Sequence, residues 1–248
     1  MSLERLLDLM TDAPEPDDLY TRLDFPEPPA ERPYLFINMA STVDGKIVVG
    51  EPGGTAKGVG GPTDQRLFRR LQKRADAALL GSATLRASHV LYPPEIPRFV
   101  VTRSGDVPLQ NRFFTDAPDR AWALVPEDIA PETKTRLEAS AHILAVGKGG
   151  VDLKAAMRSL RQEQGIRYLL CEGGATLNDD LIRSGLADEL FLTLAPKLKG
   201  GAHLPTIMTG QGFAPNVVLP LHLRSLYRDD DELYLRYRLD APQLAFPR

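Results

Sequence analysis

Between residues 166 and 183 an apolar run, Ile166-Arg167-Tyr168-Leu169-Leu170-Cys171, meets Glu172 and the pair Gly173-Gly174. Helical spacing begins at once in Ala175-Thr176-Leu177-Asn178-Asp179-Asp180-Leu181-Ile182-Arg183. A buried strand that turns directly into a helix is the unit of an α/β sheet, so this stretch limits the fold more than any other. The glycines let the backbone approach a ligand closely and take dihedral angles closed to other residues. The first helical turn leaves N–H groups pointing back at that spot with the positive end of the helix dipole behind them, which suits a phosphate or pyrophosphate. A tight strand-to-helix turn asks for glycine in any case, so the pair alone leaves both readings open.

The same alternation runs through the chain. Tyr34-Leu35-Phe36-Ile37-Asn38-Met39 reads as a buried strand, followed by a turn at Val43-Asp44-Gly45-Lys46, a short apolar run at Ile47-Val48-Val49 and a glycine-rich loop from Gly50 to Gly61. Pro62-Thr63-Asp64 opens a helix with Leu67, Phe68 and Leu71 on one face. Further strands fall at Ala75 to Leu80, Arg98 to Thr102, Ala121 to Val125 and His142 to Val146, with helices from Thr84 and from Asp152 to Gln164. After a strand at Asp188 to Leu194 the pattern changes: 196–220 is mostly loop, and 221–228 pairs with 232–239 as a hairpin across Asp229-Asp230-Asp231. Such an order predicts an α/β fold with a mostly parallel central sheet, an antiparallel C-terminal hairpin and helices on both faces. Residues 34–248 are expected to form one domain. Ahead of it, residues 1–33 are expected to hold a short amphipathic helix (Leu3, Leu6, Leu7, Met10) and a proline- and acid-rich extension.

Composition narrows the function. A formal net charge of −3 without a basic run makes nucleic acid a poor main partner. The single cysteine, Cys171, excludes an internal disulfide and a multi-cysteine metal site, and the four histidines stand at no metal-ligand spacing. No zinc-deaminase motif occurs. With no signal peptide and no apolar run near the roughly 18 residues of a membrane span, the expectation is a cytoplasmic protein without a membrane partner.

Several residues qualify for chemistry, each beside a plainer explanation. Glu172 stands at the carboxyl end of a strand, where open α/β sheets bind ligands, or is a solvated turn carboxylate. Thr176 could donate to a phosphate or satisfy a backbone group. Asn178, Asp179 and Asp180 are favoured early in a helix whatever their function. Gly81-Ser82-Ala83-Thr84 repeats the strand–glycine–helix geometry, and two such corners in one sheet fit a dinucleotide. Arg103-Ser104 at a strand end could bind a ribose 2′-phosphate or be a solvated turn. Asp44-Gly45 is a common turn, yet Asp44 could orient substrate or relay a proton, and Lys46 could bind a phosphate. Arg66, Arg70 and Arg74 share a helical stripe that reads first as a solvated surface, while Asp76 and Cys171 read as structural.

Taken in order, Met39-Ala40-Ser41-Thr42-Val43-Asp44-Gly45-Lys46-Ile47, Asp76 to Thr84 and Glu172-Gly173-Gly174-Ala175-Thr176-Leu177 form a linked set. It continues into Gly185-Leu186-Ala187-Asp188-Glu189-Leu190 and Ala195-Pro196-Lys197-Leu198-Lys199-Gly200. The set resembles the reductase domain of riboflavin biosynthesis, the C-terminal half of the bifunctional deaminase–reductase and its stand-alone relatives, over residues 34 to about 240. The resemblance implies a dihydrofolate-reductase-like three-layer fold and an NADPH-dependent reductase that converts the ribosyl group of 5-amino-6-(5-phosphoribosylamino)uracil to ribityl. It carries cofactor contacts onto Ser41, Thr84 and the run Gly174 to Asp180; with the strand-end corners read above, the candidate cofactor set is Ser41, Gly81, Ser82, Thr84, Arg103, Gly173, Gly174, Ala175, Thr176, Leu177 and Asn178. Substrate contacts fall to Asp44, Lys46 and Glu172, with Asp44 and Glu172 as catalytic candidates and a homodimer as the expected assembly. No metal is implied.

The sequence departs from the family pattern at three places. Gly54-Thr55-Ala56-Lys57-Gly58-Val59-Gly60-Gly61 lacks the family's tryptophan stretch, Gln72 falls near a family arginine, and Ser88-His89-Val90-Leu91-Tyr92-Pro93 replaces an Asp-Asp-Pro. These lie on the substrate side, so a same-fold reductase for another heterocycle, such as a pterin, and a non-catalytic nucleotide-binding protein remain the alternatives.

Overall fold

The computed structural model describes residues 3–87 and 92–240; Ser88 to Leu91 of the divergent stretch, and the end of the chain from 241, lie outside the described residues. Ten strands form one sheet: β1 (Glu4–Asp8), β2 (Tyr34–Thr42), β3 (Ala77–Gly81), β4 (Arg98–Val101), β5 (Ala121–Val125), β6 (His142–Ala145), β7 (Tyr168–Cys171), β8 (Glu189–Ala195), β9 (Leu221–Asp229) and β10 (Glu232–Leu239). Their order is β1-β9-β10-β8-β2-β7-β3-β4-β5-β6. From β8 to β6 every neighbour is parallel, and β8, β10, β9 and β1 pair antiparallel. The expected mostly parallel sheet with an antiparallel C-terminal hairpin is therefore present.

Strand residues alternate between two faces, and the helices follow that alternation. Leu35, Ile37, Leu79, Leu169 and Cys171 join a core with α5 (Leu153–Gln162) and α6 (Ala175–Arg183) through Met157, Leu160 and Leu181. On the other face, Phe36, Leu170 and Phe191 pack with Leu67 and Leu71 of α1 (Pro62–Gln72). Further along that face, Leu80, Val100 and Ala123 pack with α2 (Ser82–Ala87), α3 (Arg112–Thr115) and α4 (Pro131–Glu138). Helices cover both faces, as expected.

The N-terminal segment is a correction. Residues around Leu3, Leu6, Leu7 and Met10, expected as an amphipathic helix, instead form β1, which pairs antiparallel with β9. Leu3 is buried, whereas Leu6 and Leu7 are 46% and 37% exposed, so the helical spacing marks no buried stripe. Long-range edge pairing prevails over local periodicity here. The extension that follows lays Leu19, Tyr20 and Phe25 on Phe36 and Phe191 of the sheet.

Candidate ligand site at the sheet switch point

β3 and β7 are adjacent and parallel, yet the helices that follow them leave for opposite faces: α2 packs beside Leu80, α6 beside Leu79 and Cys171. A crevice must open between such helices at the carboxyl ends of the strands, and open α/β sheets bind ligands there. A cavity of about 440 Å³ occupies this position. Asn38, Met39 and Ala40 of β2, Ala83, Thr84 and Ala87 of α2, and Glu172, Gly174, Ala175 and Thr176 line it from the sheet side. Asp64 and Phe68 of α1, the 52–56 loop, and His203, Pro205 and Thr209 complete the wall.

Its floor is the glycine corner. Gly173 and Gly174 take φ of +85° and +103°, values that strain any residue with a side chain. A Cβ on Gly173 would stand 2.6 Å from Met39 Sδ, and one on Gly174 would stand 3.3 Å from Thr84 Oγ1 and 3.4 Å from Gly81 Cα. Gly81 donates its N–H to the Gly173 carbonyl at 3.1 Å, so the two corners predicted separately form one cradle. α6 begins at Ala175 with Gly174 as its N-cap and no side-chain cap, leaving first-turn amides open toward the cavity. A phosphate-bearing group fits this cradle: uncapped amides, the Thr84 hydroxyl and a backbone without Cβ atoms.

Glu172 is half-buried above that floor. Gln72 Nε2 donates to its Oε1 at 3.0 Å and Tyr92 Oη donates to its Oε2 at 2.8 Å. Burial raises its pKa from the ordinary 4.5 to about 7, with the two hydrogen bonds opposing the shift. Asp64, in the first turn of α1, also lines the cavity; burial and the nearby Glu232 raise its pKa to about 6, against a hydrogen bond with Thr193.

Other candidates stand elsewhere. Asp44 is exposed and does not line the cavity; its carboxylate accepts from Thr42 Oγ1 (2.6 Å), Lys199 N (3.0 Å) and Gly200 N (2.6 Å). Those bonds hold its pKa down at about 2 and make it a clasp between the β2 turn and the chain after β8. Lys46 Nζ donates to the Leu204 carbonyl at 3.2 Å, bracing the loop that carries His203 and Pro205. Asn178 is fully buried and donates to the Ile207 carbonyl at 2.8 Å, so its amide supports that loop from below. Leu177 packs under Gly81, Ser41 is buried in β2, and Ser82 opens α2 without lining the cavity. Arg103 is exposed just past β4 on the same sheet edge, outside the cavity wall.

Asp64, Phe68 and Tyr92 were not singled out for the site by their sequence. One signal was available: Asp64, Phe68 and Gln72 recur at every fourth position of α1, a carboxyl–aromatic–amide stripe beside the purely apolar Leu67 and Leu71. Among the described residues no cluster could hold a metal ion, and no helix is long and apolar enough to cross a membrane.

The sheet order, the two-faced helical cover and the crevice at the carboxyl edge define a dihydrofolate-reductase-like α/β protein. The chain belongs to the RibD C-terminal domain family, whose model matches residues 33–235. It is 30% identical over 219 residues to the 2,5-diamino-6-ribosylamino-4(3H)-pyrimidinone 5′-phosphate reductase of Methanothermobacter thermautotrophicus, covering 83% of this chain and 98% of that protein. The protein of the same name from Archaeoglobus fulgidus is 31% identical over 199 residues, covering 73% of this chain and 89% of the other. Among solved structures, a pyrimidine reductase-like protein of Corynebacterium diphtheriae superposes with a TM-score of 0.70 at 18% identity, covering 84% of this chain and 92% of that one. RibD of Acinetobacter baumannii gives 0.68 at 21% identity over 85% of this chain, which spans 59% of that protein.

Proposed function

We propose that the protein is an NADPH-dependent reductase that acts on a ribosylamino-pyrimidine 5′-phosphate and converts its ribosyl group to ribityl. The observation that carries this reading is the cavity itself, which joins an anion-binding cradle to a carboxyl group poised near neutrality. The names of relatives matched over nearly their whole length point the same way. NADPH, when bound, supplies the hydride. The cradle of Gly81, Thr84, Gly173, Gly174, Ala175 and Thr176 would hold its phosphates, and Arg103 on the same edge is placed to meet a ribose 2′-phosphate. In the reaction the C1′–O4′ bond of the sugar breaks, C1′ gains the hydride and O4′ gains a proton. We assign that proton to Glu172, because it lines the cavity and is half protonated near pH 7. Asp44, locked at about 2 by three hydrogen bonds, is unsuited to that transfer.

Titration of NADPH followed by turnover with the ribosylamino-pyrimidine phosphate tests the scheme. Saturable binding in the micromolar range and substrate-dependent oxidation are expected; absence of saturation below millimolar NADPH would sink it. One observation favours a second reading, a reductase of the same fold acting on an unphosphorylated heterocycle. Among the described residues of the cavity wall, His203 is the only one able to carry a positive charge. Faster turnover of the dephosphorylated substrate would decide for that second reading.

A further inference from the structure

α1 runs along the cavity: Asp64 and Phe68 line its wall, and the buried Gln72 reaches it only through Glu172. Gln72, at the C-terminal end, bonds to Glu172. Phe68, one turn earlier, presents an aromatic side chain to the cavity, and Asp64, another turn earlier, presents a carboxyl group. At 1.5 Å per residue, Asp64 and Gln72 are about 12 Å apart along the helix. The cavity therefore has a polar group at each end and an aromatic wall between them, the layout that receives a planar ring with hydrogen-bonding edges.

Asp64 is placed as a reader rather than as a cap. The amide of its own N-cap residue, Gly61, is taken by Glu232 Oε1 at 3.0 Å. Among the described residues, Thr193 is the side chain it hydrogen-bonds and no cation is paired with it. The neighbouring loop makes room for the carboxyl: a Cβ on Gly60 would fall 2.3 Å from Asp64 Oδ2. A half-buried carboxylate that is neither paired nor used for capping, and that opens on a ligand cavity, is matched by a ligand edge bearing N–H donors.

Resting on the proposed reductase reading, we propose that Asp64 determines which ring this protein accepts. It receives the adjacent ring N–H and exocyclic NH2 of a 2-amino-4-pyrimidinone, with the ring against Phe68 and the reacting sugar toward Glu172. Two neighbouring donors match the two carboxylate oxygens. The corresponding uracil edge puts a carbonyl where the amino group would be, so one carboxylate oxygen would face another acceptor.

The experiment compares the 2-amino and 2-oxo forms of the ribosylamino-pyrimidine 5′-phosphate, by kcat/KM and by calorimetric Kd, in the wild type and in Asp64→Asn. The wild type is expected to favour the 2-amino form by roughly 10–100-fold. Asp64→Asn, whose amide can donate to a carbonyl, is expected to reduce that preference to within about twofold while NADPH affinity stays unchanged and Tm does not fall. A wild type that prefers the 2-oxo form, or a ratio that Asp64→Asn leaves intact, overturns the role of Asp64 and leaves the reductase reading standing. Discriminated binding without turnover overturns the reductase reading and keeps Asp64. Failure to bind either form removes both.

Discussion

Asp64 and Glu172 share one cavity and are shifted the same way, each by loss of water around its charge. Their roles need opposite states: Asp64 ionised to accept from the ring, Glu172 protonated to give a proton. The kcat/KM profile should therefore be bell-shaped, rising through about 6 and falling through about 7. Glu172→Gln should remove the alkaline limb and most of the activity, and Asp64→Asn the acid limb. Glu232 and Thr193 face Asp64, while Gln72 and Tyr92 face Glu172. Stability carries a second signature. Because the folded-state pKa of Glu172 lies above its ordinary 4.5, the folded state holds an extra proton between 4.5 and about 7, and its advantage is lost as pH rises through that window. Glu172→Gln should thus stabilise the protein at pH 8 by roughly 1–3 kcal/mol and change little below pH 4.5, as read from thermal melts. Asp44→Asn should loosen the 197–200 segment and leave the position of the bell unmoved, separating a clasp from a titrating site group.

Among the elements, the β7–α6 corner and the loop above it respond to different substitutions. Gly174→Ala forces a side chain into φ +103° and against Thr84 and Gly81, so it should destabilise by about 1–3 kcal/mol and weaken NADPH at least tenfold. Asp179 is buried in α6 and accepts from Gln211 N and Gly212 N, both at 3.0 Å, fixing the segment that runs up to the cavity wall at Thr209. Asp179→Ala leaves those amides unpaired and should cost about 1–3 kcal/mol, with faster hydrogen exchange across 206–212. Much of this level was legible in sequence. Buried parallel strands such as Ala77–Gly81 and Tyr168–Cys171 are apolar runs closed by glycine or acid, and the strained corner admits only glycine. β1 was hidden because its leucines imitate helical spacing while its partner β9 lies over two hundred residues away. α4 was hidden because it buries only Leu137 and so shows no periodic stripe. Asp64 was hidden by its position, since an acid in the first turn of a helix needs no function to explain it.

At the scale of the whole molecule, the N-terminal extension and the C-terminal hairpin are tied by a charge cluster built on the buried Arg236–Glu189 pair. Arg236 of β10 donates to both oxygens of Glu189 at 2.8 Å and to Asp24 at 2.6 Å, with Phe25 and Phe191 against its guanidinium. Arg236→Met strands Glu189 in the core and should lower stability by about 3–5 kcal/mol in denaturant titration, whereas replacing both with apolar residues should cost far less. The sheet order has a further consequence, for the time at which function appears. Strands β3, β4 and β5 each pair with the strand that follows and can associate as they leave the ribosome. β2, which supplies Asn38, Met39 and Ala40 to the cavity, must wait for β7 and β8, and the wall is completed only by the segment that ends at Thr209, so the pocket cannot close until that residue has been synthesised. Chains arrested before that point would carry an orphan central strand, apolar on both sides, and would be substrates for chaperones before they could be binders of anything else.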